Sequence, residues 1–259
     1  MPYTIAERTH IGHVRSLNQD SHFVRRTEQG IFLCVADGLG GHPCGERVSR
    51  LVTDLFEARM ATFFSDPDPR QVLQKALRDS QQQINRYTDQ HPDCRNMGTT
   101  LVCARVQNDQ FFTAHIGDSR AYLIRAGSVR SRTEDHTLVQ RLIQQGELPA
   151  ESLYFHPYRH VLDRIVGGAR DNRPSFDFST DRELRTGDHL LLCSDGLYGM
   201  VPESQIVKII SQSDPDPETK CDQLLSAALQ NGGKDNITLI LLQAAGPTPQ
   251  DHLLEYPEK

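Results

Sequence analysis

Three apolar runs in this chain stand too close together to be joined by helices. "TLVCARV" (100–106), "QFFTAHI" (110–116) and "RAYLIRA" (120–126) are separated only by the turns within "VQNDQ" and "GDSR". A parallel pairing needs a crossover of a dozen or more residues, so neighbours this close pair as antiparallel hairpins. A purely parallel α/β sheet is therefore disfavoured. Three more runs, "IFLCVA" (31–36), "HLLLCS" (189–194) and "ITLILLQ" (237–243), share the β-branched, aromatic or Leu-rich character of strands. Helical period marks Val48, Leu51, Val52, Leu55 and Phe56. It recurs at Leu73, Ala76, Leu77, Ser80, Ile84 and Tyr87, and again at Cys221, Leu224, Leu225, Ala228 and Leu229. Each set gives its helix one apolar face to bury. "SDPDPR" (65–70) and "SDPDPE" (213–218) lead into the last two, with capping acids and prolines suited to a first turn. The expected fold is an α+β, layered α-β-β-α sandwich, with two mainly antiparallel sheets packed together and helices outside. The stretch at about 133–180 is rich in turn formers and basic residues and reads as a functional flap. Residues 245–259 read as a solvated tail.

Charge and apolar patterning narrow the function. The 259 residues carry a net charge of −6, and no run of Lys or Arg is interleaved with aromatics, so no nucleic-acid or anionic-membrane surface is expected. No segment approaches the ~18 unbroken apolar residues of a membrane span, and the N-terminal residues lack an apolar secretion signal. A cytoplasmic, monomeric protein is expected. Six cysteines occur without a C-x-x-C pair, and Cys34, Cys103 and Cys193 sit inside apolar runs. Reduced, structural thiols are the expectation.

The chemistry gathers at strand ends. Asp37 follows "IFLCVA", Asp118 follows "QFFTAHIG", Asp195 follows "HLLLCS" and Asp235 just precedes "ITLILLQ". Any one of these alone is ordinary turn chemistry. Together along one rim of a layered sheet, four acids repel unless protonated or bridged by cations. Oxygen-only ligands select hard ions such as Mg²⁺ or Mn²⁺ over zinc.

Eight stretches in order carry a resemblance: "VRSLNQD" (14–20), "VADGLGGHPCGE" (35–46), "MGTTL" (97–101), "HIGDSRAYL" (115–123), "TEDHT" (133–137), "HPYRHVLDRIVG" (156–167), "LLLCSDGLYGMV" (191–201) and "GGKDNITLI" (232–240). The set resembles the metal-dependent, type 2C Ser/Thr protein phosphatases in their bacterial form, over about residues 9–243. The resemblance implies a phosphatase domain spanning 1–244. It implies two Mn²⁺ or Mg²⁺ ions bridged by Asp37, with the carbonyl of Gly38 on one ion and Asp195 and Asp235 on the other. It assigns phosphate binding to Arg15, whose planar fork suits phosphate oxygens, and a third, weaker ion to Asp118 with Asp195. Substrates would be phosphoserine and phosphothreonine proteins, with a cognate Ser/Thr kinase as a partner in signalling. Two cations bridged by one carboxylate lower the pKa of a shared water, so hydrolysis needs no phosphoenzyme.

Two positions depart from the pattern. Many eukaryotic relatives have His where this chain has Leu39, which leaves His42 or a metal-bound water as candidate general acid. Gln19 stands where many relatives have Glu, and a neutral amide holds a divalent ion less strongly than a carboxylate. Asp20 is therefore included as an outer contributor. A rival motif, C-x5-R from Cys44 to Arg50, has the spacing of cysteine-based phosphatases, but the helical period starting at Val48 removes the backbone N–H groups such a loop needs. A non-enzymatic phosphoprotein-binding module would show loss of a metal-ligand Asp, and all four are present.

Overall fold

The computed structural model describes residues 2–39, 44–170, 172–214 and 216–245. The first half of the chain runs β1 (Tyr3–His10), β2 (Asp20–Thr27), β3 (Gly30–Asp37), α1 (Gly45–Glu57), α2 (Met60–Ser65), α3 (Pro69–Gln90), β4 (Gly98–Thr99), β5 (Leu101–Gln107), β6 (Gln110–Ile116) and β7 (Arg120–Arg125). Then come β8 (Ser128–Arg132), α4 (Leu138–Gln144), α5 (Ser152–Phe155), β9 (Val166–Gly167), β10 (Asp177–Phe178) and β11 (Arg182–Glu183). The chain closes with β12 (His189–Cys193), α6 (Asp195–Tyr198), α7 (Glu203–Ile210), α8 (Pro217–Gln230) and β13 (Ile237–Ala244).

Most of the strands form two antiparallel sheets, ordered β1-β13-β12-β7-β8 and β10-β6-β5-β3-β2, with β11 also on β6, and β4 and β9 pair separately. Alternation along each strand shows why they stack. In β3, Phe32, Cys34 and Ala36 face α1 to α3, while Ile31, Leu33 and Val35 join the layer between the sheets. In β13, Ile237, Leu239 and Leu241 face the helical side of the other sheet, and Ile240 and Leu242 face the layer between. A central strand is thus apolar on both faces, which is why its sequence reads as an unbroken apolar run. Each fully buried side chain of this size contributes about 1.5–3 kcal/mol. The predicted α-β-β-α layering is the observed one.

The two Asp-Pro segments act as the sequence suggests. Asp68 accepts from Gln71 N at the start of α3 and Asp216 accepts from Thr219 N at the start of α8, each cap worth about 1 kcal/mol. The flap region holds α4 and α5 and sends β9 back to pair with β4.

One expectation is corrected. Cys44 and Cys94 form a disulfide across 50 residues of sequence, joining the start of α1 to a single 3-10 turn (Pro92–Cys94) that precedes β4. No spacing rule pairs two cysteines so far apart; the fold brings their Cα atoms to 5.7 Å. Cys34, Cys103, Cys193 and Cys221 are free and buried, as small apolar side chains would be. Within the tail, residues 246–259 lie outside the described residues.

Candidate active site

Asp37 ends β3, and the register of the β2–β3 hairpin sets Asp20 directly opposite it. Two threonines of "MGTTL" hold the Asp37 backbone. Thr99 Oγ1 donates to Asp37 O (2.8 Å), Thr100 N donates to the same oxygen (2.9 Å), and Asp37 N donates to Thr100 Oγ1 (3.1 Å). Thr100 Oγ1 also lies 2.7 Å from Ser119 Oγ, tying Asp37 to the turn that carries Asp118. Gly38 has no room for a side chain: a Cβ there would stand 2.3 Å from Gly45 O and 2.6 Å from Gln19 O.

The second sheet delivers the other acids to the same place. Asp195 opens α6 right after β12, and Asp235 precedes β13. A Cβ on Gly196 would lie 1.9 Å from Asn236 O, so glycine lets these two strand ends meet. Ser194 Oγ bridges the sheets by donating to Asp20 Oδ2 (2.8 Å) while accepting from Thr238 N (3.0 Å). Asn236 secures the N-terminal loop: its Nδ2 donates to the carbonyls of Ile11 (2.9 Å) and Leu17 (3.0 Å), and its Oδ1 accepts from Gln19 N (2.8 Å). That loop places Arg15 Nη2 2.7 Å from Asp235 Oδ2. Asp118 is buried, with its carbonyl accepting from Tyr198 OH (2.9 Å). Arg120 is fixed by a two-pronged pair with Asp135 (2.8 and 2.6 Å) and stacks on the Tyr198 ring.

Thus Asp20, Asp37, Asp118, Asp195, Asp235 and Arg15 converge. Burial, followed by the neighbouring acids Asp20, Asp195, Asp118 and Asp235, pushes the Asp37 carboxyl well above the usual range. Burial and then Asp118, Asp235 and Asp20 do the same to Asp195. Asp20 is raised to about 6, chiefly by burial, even though Thr238 and Ser194 hydrogen-bond to it. Asp118 is also raised to about 6, with burial the main cause and Asp135 next. Arg15 is raised, chiefly by its hydrogen bond to Asp235. Among the described residues the buried side-chain oxygens without a partner are Asp20 Oδ1 and Asp195 Oδ1, both in this cluster. Buried carboxylates left unpaired cost several kcal/mol, and hard divalent cations are the partners an all-oxygen set accepts. The residues fit the implied metal ions.

Residues 8–230 match the profile of the protein phosphatase 2C family. The chain belongs to that family. It is 36% identical over 242 residues to the serine/threonine phosphatase stp of Listeria innocua, covering 91% of this chain and 94% of that one. The crystal structure of the Mycobacterium tuberculosis serine/threonine phosphatase PstP superposes with a TM-score of 0.80 at 33% identity, covering 94% of this chain and 99% of that one. The catalytic domain of a phosphatase PstP in complex with two manganese ions gives 0.76 at 32% identity, with the same coverage of 94% and 99%.

Within this 2C-type frame the positions singled out from sequence take the following places. Asp20, expected as an outer contributor, stands in the cluster opposite Asp37. The Gln19 amide packs at the start of α1, its Nε2 2.4 Å from where a Cβ on Gly45 would be. Leu39 points toward Gly98 and Ile165. His42 lies outside the described residues. Cys44 is disulfide-bonded and its carbonyl accepts from Arg47 N and Val48 N, so C-x5-R provides no thiolate and these two N–H groups are already used. The residues not singled out beforehand are Thr99, Thr100, Ser194 and Asn236. Their signal lay in "MGTTL", "CSDG" and "KDNIT", where each adjoins or supports an acid.

A separate group, His115, His136 and Asp177, has ligand atoms within 4.8 Å of one another. Arg164 already serves it: Nη2 lies 2.9 Å from Asp177 Oδ1 and Nη1 3.1 Å from His136 Nε2. A guanidinium stands where a cation would, and His136 Nδ1 accepts from Gly117 N (3.1 Å). This group braces the flap against the Gly117 turn.

Proposed function

We propose that the chain hydrolyses phosphoserine and phosphothreonine in proteins, with Mn²⁺ or Mg²⁺ held by Asp37, Gly38, Asp195 and Asp235. The observation that carries this reading is the pair of buried, unpartnered oxygens on Asp20 and Asp195 inside a five-acid cluster beside Arg15. When bound, two such cations supply a nucleophile by lowering the pKa of water and neutralise charge on the phosphoryl oxygens. Asp37 would be the acid shared by the ions, a role supported by the effect of all four other acids on its carboxyl. Asp20 adds charge from the opposite strand. Arg15 uses one of its five donors on Asp235, which leaves donors for phosphate. Asp118 with Asp195 is the pair for a third, weaker cation. His42 and a water of the metal site are the two candidate proton donors to the leaving alkoxide.

The partners that fit are phosphoproteins of a cognate Ser/Thr kinase, met by a monomeric, cytoplasmic enzyme. The Cys44–Cys94 bond is unusual for a reducing compartment. Non-reducing mass spectrometry of protein trapped in intact cells tests the location and the bond together. The deciding assay for the activity is hydrolysis of a phosphothreonine peptide by the purified chain in Mn²⁺, Mg²⁺ and EDTA. Turnover in either metal and none in chelator is expected; full turnover in EDTA overturns the reading. A phosphoprotein-binding module without catalysis would bind the peptide in metal and leave it intact.

A further inference from the structure

Val14 and Leu17 stand on either side of Arg15 with their side chains in solvent, 69% and 49% exposed. Only three other large apolar side chains among the described residues are exposed, Phe155, Tyr158 and Val161, all in the flap. Slack backbone does not explain the pair at 14 and 17. Asn236 holds the carbonyls of Ile11 and Leu17 and the N–H of Gln19. His13 N donates to Gly233 O (2.7 Å). A Cβ on Gly12 would lie 2.3 Å from Asp235 O, so the loop is seated directly on the turn that carries a site carboxylate. A loop fixed this firmly and still presenting Val and Leu outward offers an apolar contact surface.

Its position names the occupant. Arg15, between the two side chains, touches Asp235 at 2.7 Å and is drawn electrostatically to Asp195 and Asp37. A phosphoresidue brought to Arg15 arrives at the loop segment that exposes Val14 and Leu17. Resting on the phosphatase reading, we infer that Val14 and Leu17 are specificity residues that bind apolar side chains next to the phosphorylated residue, so that the preferred substrates are phosphopeptides with apolar flanks. Acidic flanks would set a charged group against Val14 and Leu17 where an apolar one is favoured. Taking a half-exposed Val and Leu out of water against an apolar partner is worth about tenfold in binding.

The test uses the full chain in Mn²⁺ with an aryl phosphate and three phosphothreonine peptides of equal length, whose residues before and after the phosphothreonine are Leu, Gln or Asp. The expected result is a kcat/KM for the Leu peptide about tenfold above the Gln peptide, with the Asp peptide lowest. In Val14→Ser/Leu17→Ser the Leu-to-Gln ratio should fall to within about twofold. Both positions are exposed, and a thermal melt verifies that the double variant folds. Equal rates on the Leu and Gln peptides in the unaltered chain overturn the inference, as does a tenfold ratio that survives the double substitution. Discrimination against Asp alone, with Leu and Gln equal, also overturns it, because charge alone then discriminates. Absence of Mn²⁺-dependent turnover on the aryl phosphate as well as on every peptide would remove the phosphatase reading and this inference with it.

Discussion

Replacing Asp20 by Asn should make the metal-free protein more stable while harming it as a metal protein. In the metal-free fold the Asp20 carboxyl is raised from its ordinary 3.8 to about 6, mainly by burial, and one of its oxygens has no partner. The folded chain therefore binds this proton more tightly than the unfolded chain does. That favourable contribution is complete below about pH 4 and is lost as pH rises from about 4 to about 6. At 1.36 kcal/mol per pH unit, the ionised carboxylate costs the fold about 3 kcal/mol at pH 7.5. Asn removes this cost but weakens the 2.8 Å hydrogen bond from Ser194 Oγ, a loss of about 1 kcal/mol. The net gain is about 2 kcal/mol, which for a domain of this size raises Tm by roughly 4–8 °C.

The assay is thermal unfolding of the unaltered chain and Asp20→Asn in EDTA at pH 7.5 and pH 4, then in saturating Mn²⁺. In EDTA at pH 7.5 the variant should melt higher, and at pH 4 most of the difference should vanish, because Asp20 is then protonated in the folded chain and the fold no longer carries a buried charge there. Mn²⁺ stabilises whichever protein binds it more tightly, by about 2.7 kcal/mol at a hundredfold excess over Kd. The ranking should therefore reverse in metal. A metal-free Asp20→Asn protein that melts at or below the unaltered chain at pH 7.5, or a difference that persists in full at pH 4, would refute the reasoning.

Asp37→Asn should nearly abolish turnover and weaken Mn²⁺ binding measured by calorimetry, since Asp37 interacts with every other acid of the cluster. Arg15→Ala should act mainly on KM, with a loss of about 1.5–3 kcal/mol in kcat/KM for a charge-assisted contact; unchanged kinetics would leave Arg15 as a partner of Asp235 alone. Asp118→Asn should lose more activity on a phosphothreonine peptide than on an aryl phosphate, because a poor alkoxide leaving group depends more on proton delivery; equal losses accompanied by a lowered Tm would make Asp118 a structural turn residue. Cys44→Ser should keep its turnover but lose about 2–4 kcal/mol of stability with the disulfide, read from denaturant melts with and without reductant.

How much of this was legible in the sequence follows burial. The six strands read from sequence are central or covered, and their apolar runs match β3, β5, β6, β7, β12 and β13 to within a residue or so. The strands that escaped notice, β1 "YTIAERTH", β2 "DSHFVRRT" and β8 "SVRSR", are edge strands whose outward charges break the apolar run. Such charges protect an open edge from further pairing, so the feature that makes an edge safe also hides it from an apolar pattern. The flap was legible as a change in composition and, at Leu138, Val139, Leu142 and Ile143, as the helical period of α4, but α5 and the two-residue strands carry too little period to be read.

The same blind spot bears on Asp20. Asp37, Asp195 and Asp235 adjoin strands that the apolar pattern reveals, so their meeting at one rim could be argued from topology. Asp20 begins an edge strand, and only the β2–β3 register, fixed by an eight-residue hairpin, sets it against Asp37. Gln19 then follows from Asp20. Neighbouring residues of an extended chain point opposite ways; with Asp20 turned into the cluster, the Gln19 side chain is turned out onto Gly45, where α1 begins. Its main chain meanwhile accepts from Gly38 N (3.1 Å) and Ser49 Oγ (2.6 Å) and so holds the Asp37–Gly38 corner in place. The acid at position 20, expected from the sequence as an outer contributor, is the one that faces Asp37 across the hairpin.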